Sequence, residues 1–439
     1  MSDDKWKMIN APCYYPCKRN KEGVNTSMAK ARVLILGGGF GGLFTALGLA
    51  GSAEVTLVSD SDHFLFTPML YEYLSGEVEA WHIAPKFNEL LDDNVRIVED
   101  KVTSIDLNTR QATLEKFSDP LSYDVLVLAV GGITNFVGVE GAEQHTLPFR
   151  KIEHADNLRR RMVQTLDRIP PDLSPQDVRR ELTFAIVGAG ASGCELSTKM
   201  ADLLLDAVKR RALQGQPRVL VIEMSDKVVP GMGDTIREFV EEALRESHVE
   251  VHTRTRVVNV APDSITFEHE GTREQLHTAG AVWTGGVKMR PLIEQLDVEK
   301  TERGLIKIRP TLQLDQHDNI FALGDIACCP PADRTLPGTA QLALQEANLA
   351  ADNIKALLAG RELQTKHFEE LGEALSLGTE RGAVLLAGGQ AFGGALARQA
   401  RFALYTSRLP TWHHRLRVGA SWFFEGTTPR PLLPLGLER

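Results

Sequence analysis

The sequence is poor in cysteine, with five in 439 residues. These cysteines form no dense disulfide framework and no zinc-binding spacing, and none of the 12 histidines belongs to an HExxH motif. The sequence therefore predicts free thiols in a reducing compartment and no metal site. The chain also has no excess of positive charge, because it contains 49 Lys and Arg and 58 Asp and Glu, a net charge of -9. This charge argues against a nucleic-acid partner.

The N-terminus lacks the apolar segment of a secretory signal and the Arg-rich, acid-poor composition of a transit peptide. We therefore expect residues 1–28 to form a mobile tail. Cys13 and Cys17 lie in this tail and are interpreted as two free thiols rather than a redox pair.

Residues 33–53 form a run of 21 uncharged positions, long enough to span a bilayer, but seven of them are glycine. An apolar strand, a glycine loop and an apolar helix account for this run without lipid. Because a second apolar strand follows at Val55–Ser59, the segment is typical of the start of a βαβ unit.

The motif GxGxxG occurs twice, and each copy follows an apolar strand and opens a helix. Its first glycine permits a tight turn, its second the close approach of a pyrophosphate, and its third the packing of helix on strand. The copies consist of Gly37, Gly39 and Gly42 and of Gly188, Gly190 and Gly193, the latter after the strand predicted at Leu182–Val187. Two copies in this context predict two dinucleotide-binding units.

Acidic residues follow the next strand of each unit. The strand predicted at Arg218–Glu223 ends on Glu223, which can accept hydrogen bonds from an adenine-ribose diol. Its charge would repel the 2′-phosphate of NADPH by roughly 4 kcal/mol at about 4 Å, so NADH is predicted and NADPH is the alternative. The alternative is that Glu223 is a solvated glutamate at the end of the strand and binds no ligand. In the first unit Asp60, after Ser59, is predicted to bind the ribose.

Two further strands run into glycine turns. Tyr123–Gly132 ends in a turn that includes Gly131, and Asn319–Ile326 ends in Gly324 and Asp325. Asp325 can reach a ribityl hydroxyl while Gly324 leaves room for the chain to pass beneath a cofactor. Both turns suit a flavoprotein, with simple turns as the alternative.

From Ala31 to Phe424 the sequence resembles flavoproteins with two dinucleotide-binding domains, and in particular the type II NADH:quinone oxidoreductases. The resemblance implies FAD on the first glycine motif and NADH, or NADPH, on the second. Residues 339–346, TAQLALQE, match the quinone motif AQxAxQ. A helix would place Gln341 and Gln345 on one face, and Ala343 would leave space for a flat ring; the alternative is a helix with exposed glutamines.

Glu195 extends the second glycine motif to the pattern GxGxxGxE, on the first turn of the helix. The resemblance implies that Glu195 lies near the flavin on a proton route to quinone, whereas the simpler reading is that it complements the helix dipole. Residues 66–76, which include Pro68, match the segment that packs along the isoalloxazine. Together with residues 77–85 and 408–423 they resemble a cyanobacterial and plant-plastid branch whose members reduce demethylnaphthoquinones or plastoquinone-like quinones.

Residues 398–417 contain five arginines and no acid. Apolar residues recur here at spacings of three and four, interrupted by Pro410, and predict one or two interfacial helices. They are Phe402, Tyr405, Leu409, Trp412, Leu416, Ala420 and Phe423. Packing of this stripe on the core or on a second subunit is the alternative.

The sequence thus predicts an α/β fold with two Rossmann-like dinucleotide-binding domains, for FAD and NAD(P)H, and a C-terminal amphipathic membrane-docking region. The predicted FAD-binding parts span 29–150 and 286–360, the NAD(P)H-binding domain 151–285, and the C-terminal region 361–439. We expect a flavoprotein that passes a hydride from NADH to FAD and two electrons to a membrane quinone. It would lie peripherally on the cytoplasmic face of a respiratory or thylakoid membrane, and the resemblance implies a homodimer.

Three other functions are alternatives for a chain of this kind. A disulfide reductase would need a cysteine pair near the flavin, but no cysteine lies between Cys17 and Cys194. A sulfide:quinone oxidoreductase would need well-separated cysteines, which the adjacent Cys328 and Cys329 cannot supply. A flavin-bound redox sensor without quinone turnover is the remaining alternative.

Overall fold

A mainly parallel sheet with one antiparallel edge strand and a fully parallel sheet, each built around one of the glycine motifs, organise the structure. The computed structural model describes residues 30–328, 339–369, 371–424 and 434–436. From Ala31 onward these residues belong to one compact unit. The tail predicted at 1–28, with Cys13 and Cys17, and Cys329 lie outside the described residues.

The first sheet surrounds a buried central strand, Arg32–Leu36, which pairs in parallel with a strand on each side. Its six strands, in spatial order, are Gln313–Leu314, His317–Ala322, Val125–Leu128, Arg32–Leu36, Glu54–Ser59 and Val95–Glu99. The helix Phe40–Leu49 follows the central strand and packs on the helix Ala340–Leu358. Gly48 permits this approach, because a Cβ there would lie 2.6 Å from the Cβ of Ala351.

The second sheet repeats this arrangement with five parallel strands. In spatial order they are Glu250–His252, Arg218–Ile222, Thr183–Val187, Gly280–Trp283 and Thr146–Pro148. Both predicted Rossmann units are therefore confirmed, with strand ends within one residue of the expected positions around the second motif. Since Thr146–Pro148 already belongs to the second sheet, the chain enters it slightly before residue 150, the predicted boundary.

Shorter elements surround the two sheets. The other helices are Leu70–Leu74, Ala80–Ile83, Phe87–Leu90, Ala142–His145, Ile152–Asp167, Pro175–Glu181, Ala191–Arg210, Asp234–Glu246, Pro291–Glu294, Gly394–Ser407 and Trp412–Phe424, with 3-10 turns at Thr67–Met69 and Gly324–Ile326. Three antiparallel sheets consist of Val102–Asp106, Gln111–Leu114 and Leu121–Ser122; of Thr255–Ala261, Ser264–His269 and Thr272–His277; and of Gly372–Ser376, Gly382–Leu386 and Ala391–Gly393. Two strand pairs join Ile133–Thr134 to Val287–Lys288 and Ile306–Lys307 to Ala327–Cys328.

The apolar stripe that predicts one or two interfacial helices is divided between the core and the surface. Phe402 and Leu409 are 2% and 1% exposed and pack in the core, and Tyr405 and Ala420 are partly buried. Trp412 and Leu416 are each 64% exposed and Phe423 is 78% exposed. The exposed apolar face therefore belongs to the helix Trp412–Phe424. No helix among the described residues is long and apolar enough to cross a bilayer.

Most arginines of the same stretch are paired with other residues of the protein. Arg401, 1% exposed, pairs with Glu72 and Glu195, and Arg398 pairs with Glu77. Of the others, Arg417 pairs with Glu89 at 3.0 Å and the Arg415 Nε donates to the Leu409 carbonyl oxygen. Within the described part of the chain, only Arg408 of the five has a side chain with no ion pair or hydrogen bond.

Candidate active site

One cavity of about 1640 Å³ connects both glycine motifs with the end of the helix Gly394–Ser407. Its walls include the 66–71 segment, the strand Gly372–Ser376 and the start of the helix Ala340–Leu358. Ordinary small-molecule pockets measure about 300–1,000 Å³, so this cavity can take more than one ligand.

The first glycine loop leaves an opening at the start of the helix Phe40–Leu49. A Cβ on Gly42 would lie 1.8 Å from the Gly37 oxygen, and a Cβ on Gly37, whose φ is +109°, would lie 2.2 Å from the Ala129 oxygen. A Cβ on Gly39, in contrast, would have no atom within 4 Å. The first and third glycines are therefore needed for packing, while the second faces space that a phosphate group fits.

The second glycine loop has the same geometry. A Cβ on Gly193 would lie 1.8 Å from the Gly188 oxygen, and Gly188 has a φ of +103°. Gly190, at the start of the helix Ala191–Arg210, again faces open space within 4 Å. Each helix N-terminus directs backbone N–H groups to its opening, so the residues fit two dinucleotide phosphates.

The predicted ribose acids lie beside these loops. Glu223 accepts hydrogen bonds from the backbone N–H groups of Ala189 at 2.7 Å and Ser225 at 2.8 Å. These bonds fix the carboxylate against the second loop, and each oxygen keeps a lone pair for a ribose hydroxyl. Asp60 lines the cavity and lies 3.4 Å from the ammonium group of Lys151, a partner that sequence reasoning missed.

Gly131, Gly324 and Asp325 converge at one wall of the cavity. Gly131 and Gly324 have φ values of +61° and +75°, which favour glycine. A Cβ on Gly131 would lie 4.0 Å from the Asp325 Oδ2. Pro68 also lines the cavity, and its carbonyl oxygen accepts a hydrogen bond from Arg401. The two glycine turns thus meet at a carboxylate suited to a ribityl hydroxyl.

The two glutamines of the quinone motif have different surroundings. Gln341 and Ala343 line the cavity, and the buried Gln341 Nε2 has no hydrogen-bond partner among the described residues. Gln345 does not line it: its Nε2 donates to the Glu369 carbonyl oxygen at 2.9 Å, and its Oε1 accepts from the Glu369 N–H at 3.2 Å. Only the first glutamine therefore offers a free donor to a ligand.

Glu195 is the fifth residue of the helix Ala191–Arg210, so the prediction that it lies on the first turn is wrong. The interpretation that it complements the helix dipole there is wrong for the same reason. The side chain lines the cavity, is 5% exposed, and accepts hydrogen bonds from the Ser376 N–H at 2.8 Å and from Arg401 at 3.3 Å. Burial raises the pKa of Glu195 to about 8, although Arg401 and the Ser376 N–H favour the charged form. The carboxyl group therefore carries a proton at neutral pH.

Sequence reasoning also missed Glu346 as a site residue. This side chain is 5% exposed and accepts a hydrogen bond from the Gly324 N–H at 2.6 Å, directly beneath the Asp325 turn. Burial raises the pKa of Glu346 to about 7. The only signal in the sequence was its place at the end of the quinone motif, next to Gln345.

Comparisons with known proteins agree with this geometry. Residues 31–347 match the family described as pyridine nucleotide-disulphide oxidoreductase. Demethylphylloquinone reductase NdbB of Synechocystis sp. is 34% identical over 406 residues, which cover 90% of this chain and 96% of that protein. Type II NADH:quinone oxidoreductase Ndh of Mycobacterium tuberculosis is 31% identical, over 75% of this chain and 73% of that protein.

A solved structure, NDH2 from Plasmodium falciparum in complex with NADH, has the same fold. Its TM-score is 0.83 at 18% identity, covering 92% of this chain and all of that one. The family match, together with relatives above 30% identity over most of the chain, shows that the protein belongs to the pyridine nucleotide-disulphide oxidoreductase family and, within it, to the type II NADH:quinone oxidoreductases.

Proposed function

We propose that this protein is a flavoenzyme that oxidises NADH, or NADPH, and reduces a membrane quinone. The observation that carries this function is the single cavity that joins two open glycine loops to Gln341 and Glu195. FAD, when bound, supplies the redox chemistry by taking a hydride from the nicotinamide and passing two electrons to the quinone. The protein binds and orients these groups and supplies a proton.

The residues divide among three binding sites. The first loop with Asp60 would hold the FAD phosphates and ribose, the second loop with Glu223 would hold the nicotinamide nucleotide, and Pro68, Gly131, Gly324 and Asp325 would surround the flavin. Gln341 and Ala343 would contact the quinone ring, with the Gln341 Nε2 as donor to a carbonyl oxygen. Gln345 would act indirectly, since it fixes the chain at Glu369.

Glu195 is the proton donor in this proposal. Its carboxyl group is nearly shielded from bulk water, faces the cavity, and is held by the Ser376 N–H and by Arg401. Since its pKa is raised to about 8, the proton is present at neutral pH but is weakly enough held to be transferred.

We propose a naphthoquinone without a ring methyl group, or a plastoquinone-like quinone, as the acceptor; the name of the Synechocystis relative supports the first. The test is NADH oxidation by the purified holoprotein with demethylnaphthoquinone, menaquinone and plastoquinone analogues. The fastest turnover is expected with one of the proposed classes. Flavin bleaching by NADH without reoxidation by any quinone would instead identify a redox sensor.

Replacing Glu223 with Gln is expected to lower the preference for NADH over NADPH by about tenfold or more, because the charge that repels the 2′-phosphate is removed. The ratio of the two kcat/KM values measures this preference. The control is Asp226→Asn, which removes an exposed charge three residues away and should leave the ratio within about twofold. An unchanged ratio in Glu223→Gln would contradict the role of Glu223.

We also propose that the exposed apolar face of the helix Trp412–Phe424 attaches the protein peripherally to the cytoplasmic face of its membrane. Trp412, Leu416, Phe423 and Phe424 are 64–83% exposed. Burying an apolar side chain of this size contributes roughly 1.5–3 kcal/mol, so a few of them suffice for reversible attachment. An exposed patch of this kind also suits a second copy of the chain, which is the competing occupant.

The variant Trp412→Ser, Leu416→Ser, Phe423→Ser is expected to move most of the protein from the membrane pellet to the supernatant. The control is Phe117→Ser, which removes an exposed aromatic residue from another part of the chain. If the triple variant instead sediments with membranes as before but changes from dimer to monomer by light scattering, the face is a subunit interface.

A further inference from the structure

Glu72 is a buried carboxylate that the proposed mechanism does not yet use. Its side chain lies on the short helix Leu70–Leu74, is fully buried, and forms an ion pair with Arg401. The same guanidinium also reaches Glu195, the proposed proton donor, since its Nη2 lies 3.3 Å from the Glu195 Oε1. One cation thus lies between two carboxyl groups, and of these two only Glu195 lines the cavity.

The Arg401 guanidinium is held more closely by Glu72 than by Glu195. Its Nη1 donates to the Glu72 carboxylate, whereas its Nη2 is shared between Glu195 and the Pro68 carbonyl oxygen. The carbon at the centre of the guanidinium lies 4.5 Å from the centroid of the Tyr405 ring. Glu72 therefore neutralises most of this cation, and Glu195 keeps a longer, shared contact.

The two other buried cations of this region bind a different carboxylate. Lys199, on the same helix as Glu195, pairs with Glu77, and Arg398 donates to the same carboxylate at 2.7 Å. Glu77 thus has two cations, while Glu72 and Glu195 share one. Two carboxyl groups beside one buried cation do not both ionise easily, because their like charges repel each other.

The protonation of the two carboxyl groups follows from these contacts. Burial opposes the charge of Glu72, but Arg401 and, after it, Lys199 lower its pKa, so Glu72 is the charged member. Burial is the main cause of the raised pKa of Glu195, and the charge of Glu72 adds to it. Arg401 opposes this rise, and Lys199 does so more weakly.

Other titratable groups also face Glu195. Glu373, on the strand Gly372–Ser376, lines the same cavity and is present in the wild type and in every variant used below. Three further groups stay neutral at physiological pH, because burial raises their pKa: Tyr71, Cys194 and Tyr405.

We infer that Glu72 is a positioning residue for the proton donor: it holds the Arg401 guanidinium so that Glu195 keeps the proton that quinone reduction consumes. This inference rests on the proposed quinone reduction. Glu72 does not line the cavity and acts only through its charge and its bond to Arg401.

The test is the pH profile of kcat for quinone reduction, with NADH and a saturating quinone analogue. In Glu72→Gln the charge of Arg401 acts on Glu195 alone and favours its ionised form. The fall in rate, expected near pH 8 in the wild type, should therefore move to lower pH by about one unit, a tenfold change in proton affinity. Glu72→Asp keeps the charge but shortens the side chain, so its profile should lie between the two.

The double variant Glu72→Gln, Arg401→Met should move the fall in the opposite direction, to higher pH, because Arg401 affects Glu195 more strongly than Glu72 does. Replacing a buried ion pair as a whole is often neutral for stability, so this variant and Glu72→Asp remain informative if Glu72→Gln does not fold. Tyr73→Phe is the matched control. It removes a hydrogen bond of 2.8 Å from the same helix to Asp156 without changing a charge, and it should keep the wild-type profile.

A second measurement needs no turnover. The infrared band of the protonated carboxyl group, assigned to Glu195 by its loss in Glu195→Gln, should titrate at lower pH in Glu72→Gln than in the wild type. A titration and a rate profile that are the same in Glu72→Gln and the wild type would overturn this inference alone. A shift in Tyr73→Phe of the same size would mean that the helix, and not the charge of Glu72, sets the profile. A wild-type protein that reduces no quinone would overturn the proposed function, while the infrared titration would still test Glu72.

Discussion

Replacing Glu195 with Gln is expected to slow quinone reduction by about a hundredfold, a typical loss when a positioned general acid is removed. Glutamine keeps the shape and can still accept the hydrogen bond from the Ser376 N–H, so the fold should persist. It cannot release a proton. The measurement is kcat with a saturating quinone analogue, alongside the rate at which NADH bleaches the flavin absorbance.

The rate of quinone reduction is expected to depend on the protonation of Glu195 and therefore on pH. Because the pKa of Glu195 is about 8, the carboxyl group is protonated below that pH and charged above it. The quinone-reduction rate of the wild type should therefore be level in neutral buffer and fall as pH rises through about 8. In Glu195→Gln the rate should be low and level across the same window.

Measuring flavin reduction by NADH and quinone reduction separately distinguishes proton donation by Glu195 from a general loss of activity. Bleaching of the flavin by NADH needs no proton from Glu195 and should change much less than quinone reduction. Equal slowing of both steps would indicate that Glu195 positions the cofactors, and a retained fall near pH 8 in Glu195→Gln would assign that titration to another group.

Gly39→Val is expected to yield a folded protein nearly without flavin. The backbone at Gly39 is extended, with φ of -75° and ψ of -165°, and its missing Cβ faces open space, so valine can fit the chain itself. The side chain would fill the opening where a phosphate meets the helix N-terminus. Flavin absorbance per purified chain should fall to about a tenth of the wild-type value or less, while circular dichroism remains that of the folded protein.

Variants of two other motif glycines, Gly42 in the first loop and Gly190 in the second, act as references. In Gly42→Val the new Cβ would lie 1.8 Å from the Gly37 oxygen, so this variant is expected to unfold rather than only lose flavin. Gly190→Val should retain flavin but raise the KM for NADH by about tenfold or more. Normal flavin content in Gly39→Val would mean that the first loop does not bind the pyrophosphate.

The parts of the fold that sequence predicted are those fixed by local rules. Gly37 has a positive φ, and a Cβ on Gly42 would clash with the Gly37 carbonyl oxygen, so both positions favour glycine. The resulting spacing of glycines is visible in the sequence. For the same reason an apolar strand is predicted before each loop, and the predicted bounds Leu182–Val187 differ by one residue from the strand Thr183–Val187.

Long-range pairing explains what sequence could not predict. Arg401 meets Glu72 across 329 positions, and nothing in the spacing of the C-terminal arginines reveals such a partner. Helical spacing places Gln341 and Gln345 on related faces, but it does not reveal that the chain at Glu369 takes the second amide. The spacing of residues in the sequence predicts which side chains share a helix face, but it does not predict which other part of the chain packs against that face.

The buried arginines of the helix Gly394–Ser407 also determine how the protein can be shortened. Without this helix, the buried Glu72 would lose Arg401, and the buried Glu77 would lose Arg398 and keep only Lys199. Stripping one partner from a buried pair costs about 3–5 kcal/mol, against a total stability of about 5–15 kcal/mol for a typical protein. A chain cut before this helix is therefore expected to be markedly less stable than the full chain, which thermal unfolding would measure. Surface substitutions in the helix Trp412–Phe424, rather than truncation, therefore test the proposed membrane attachment without loss of these ion pairs.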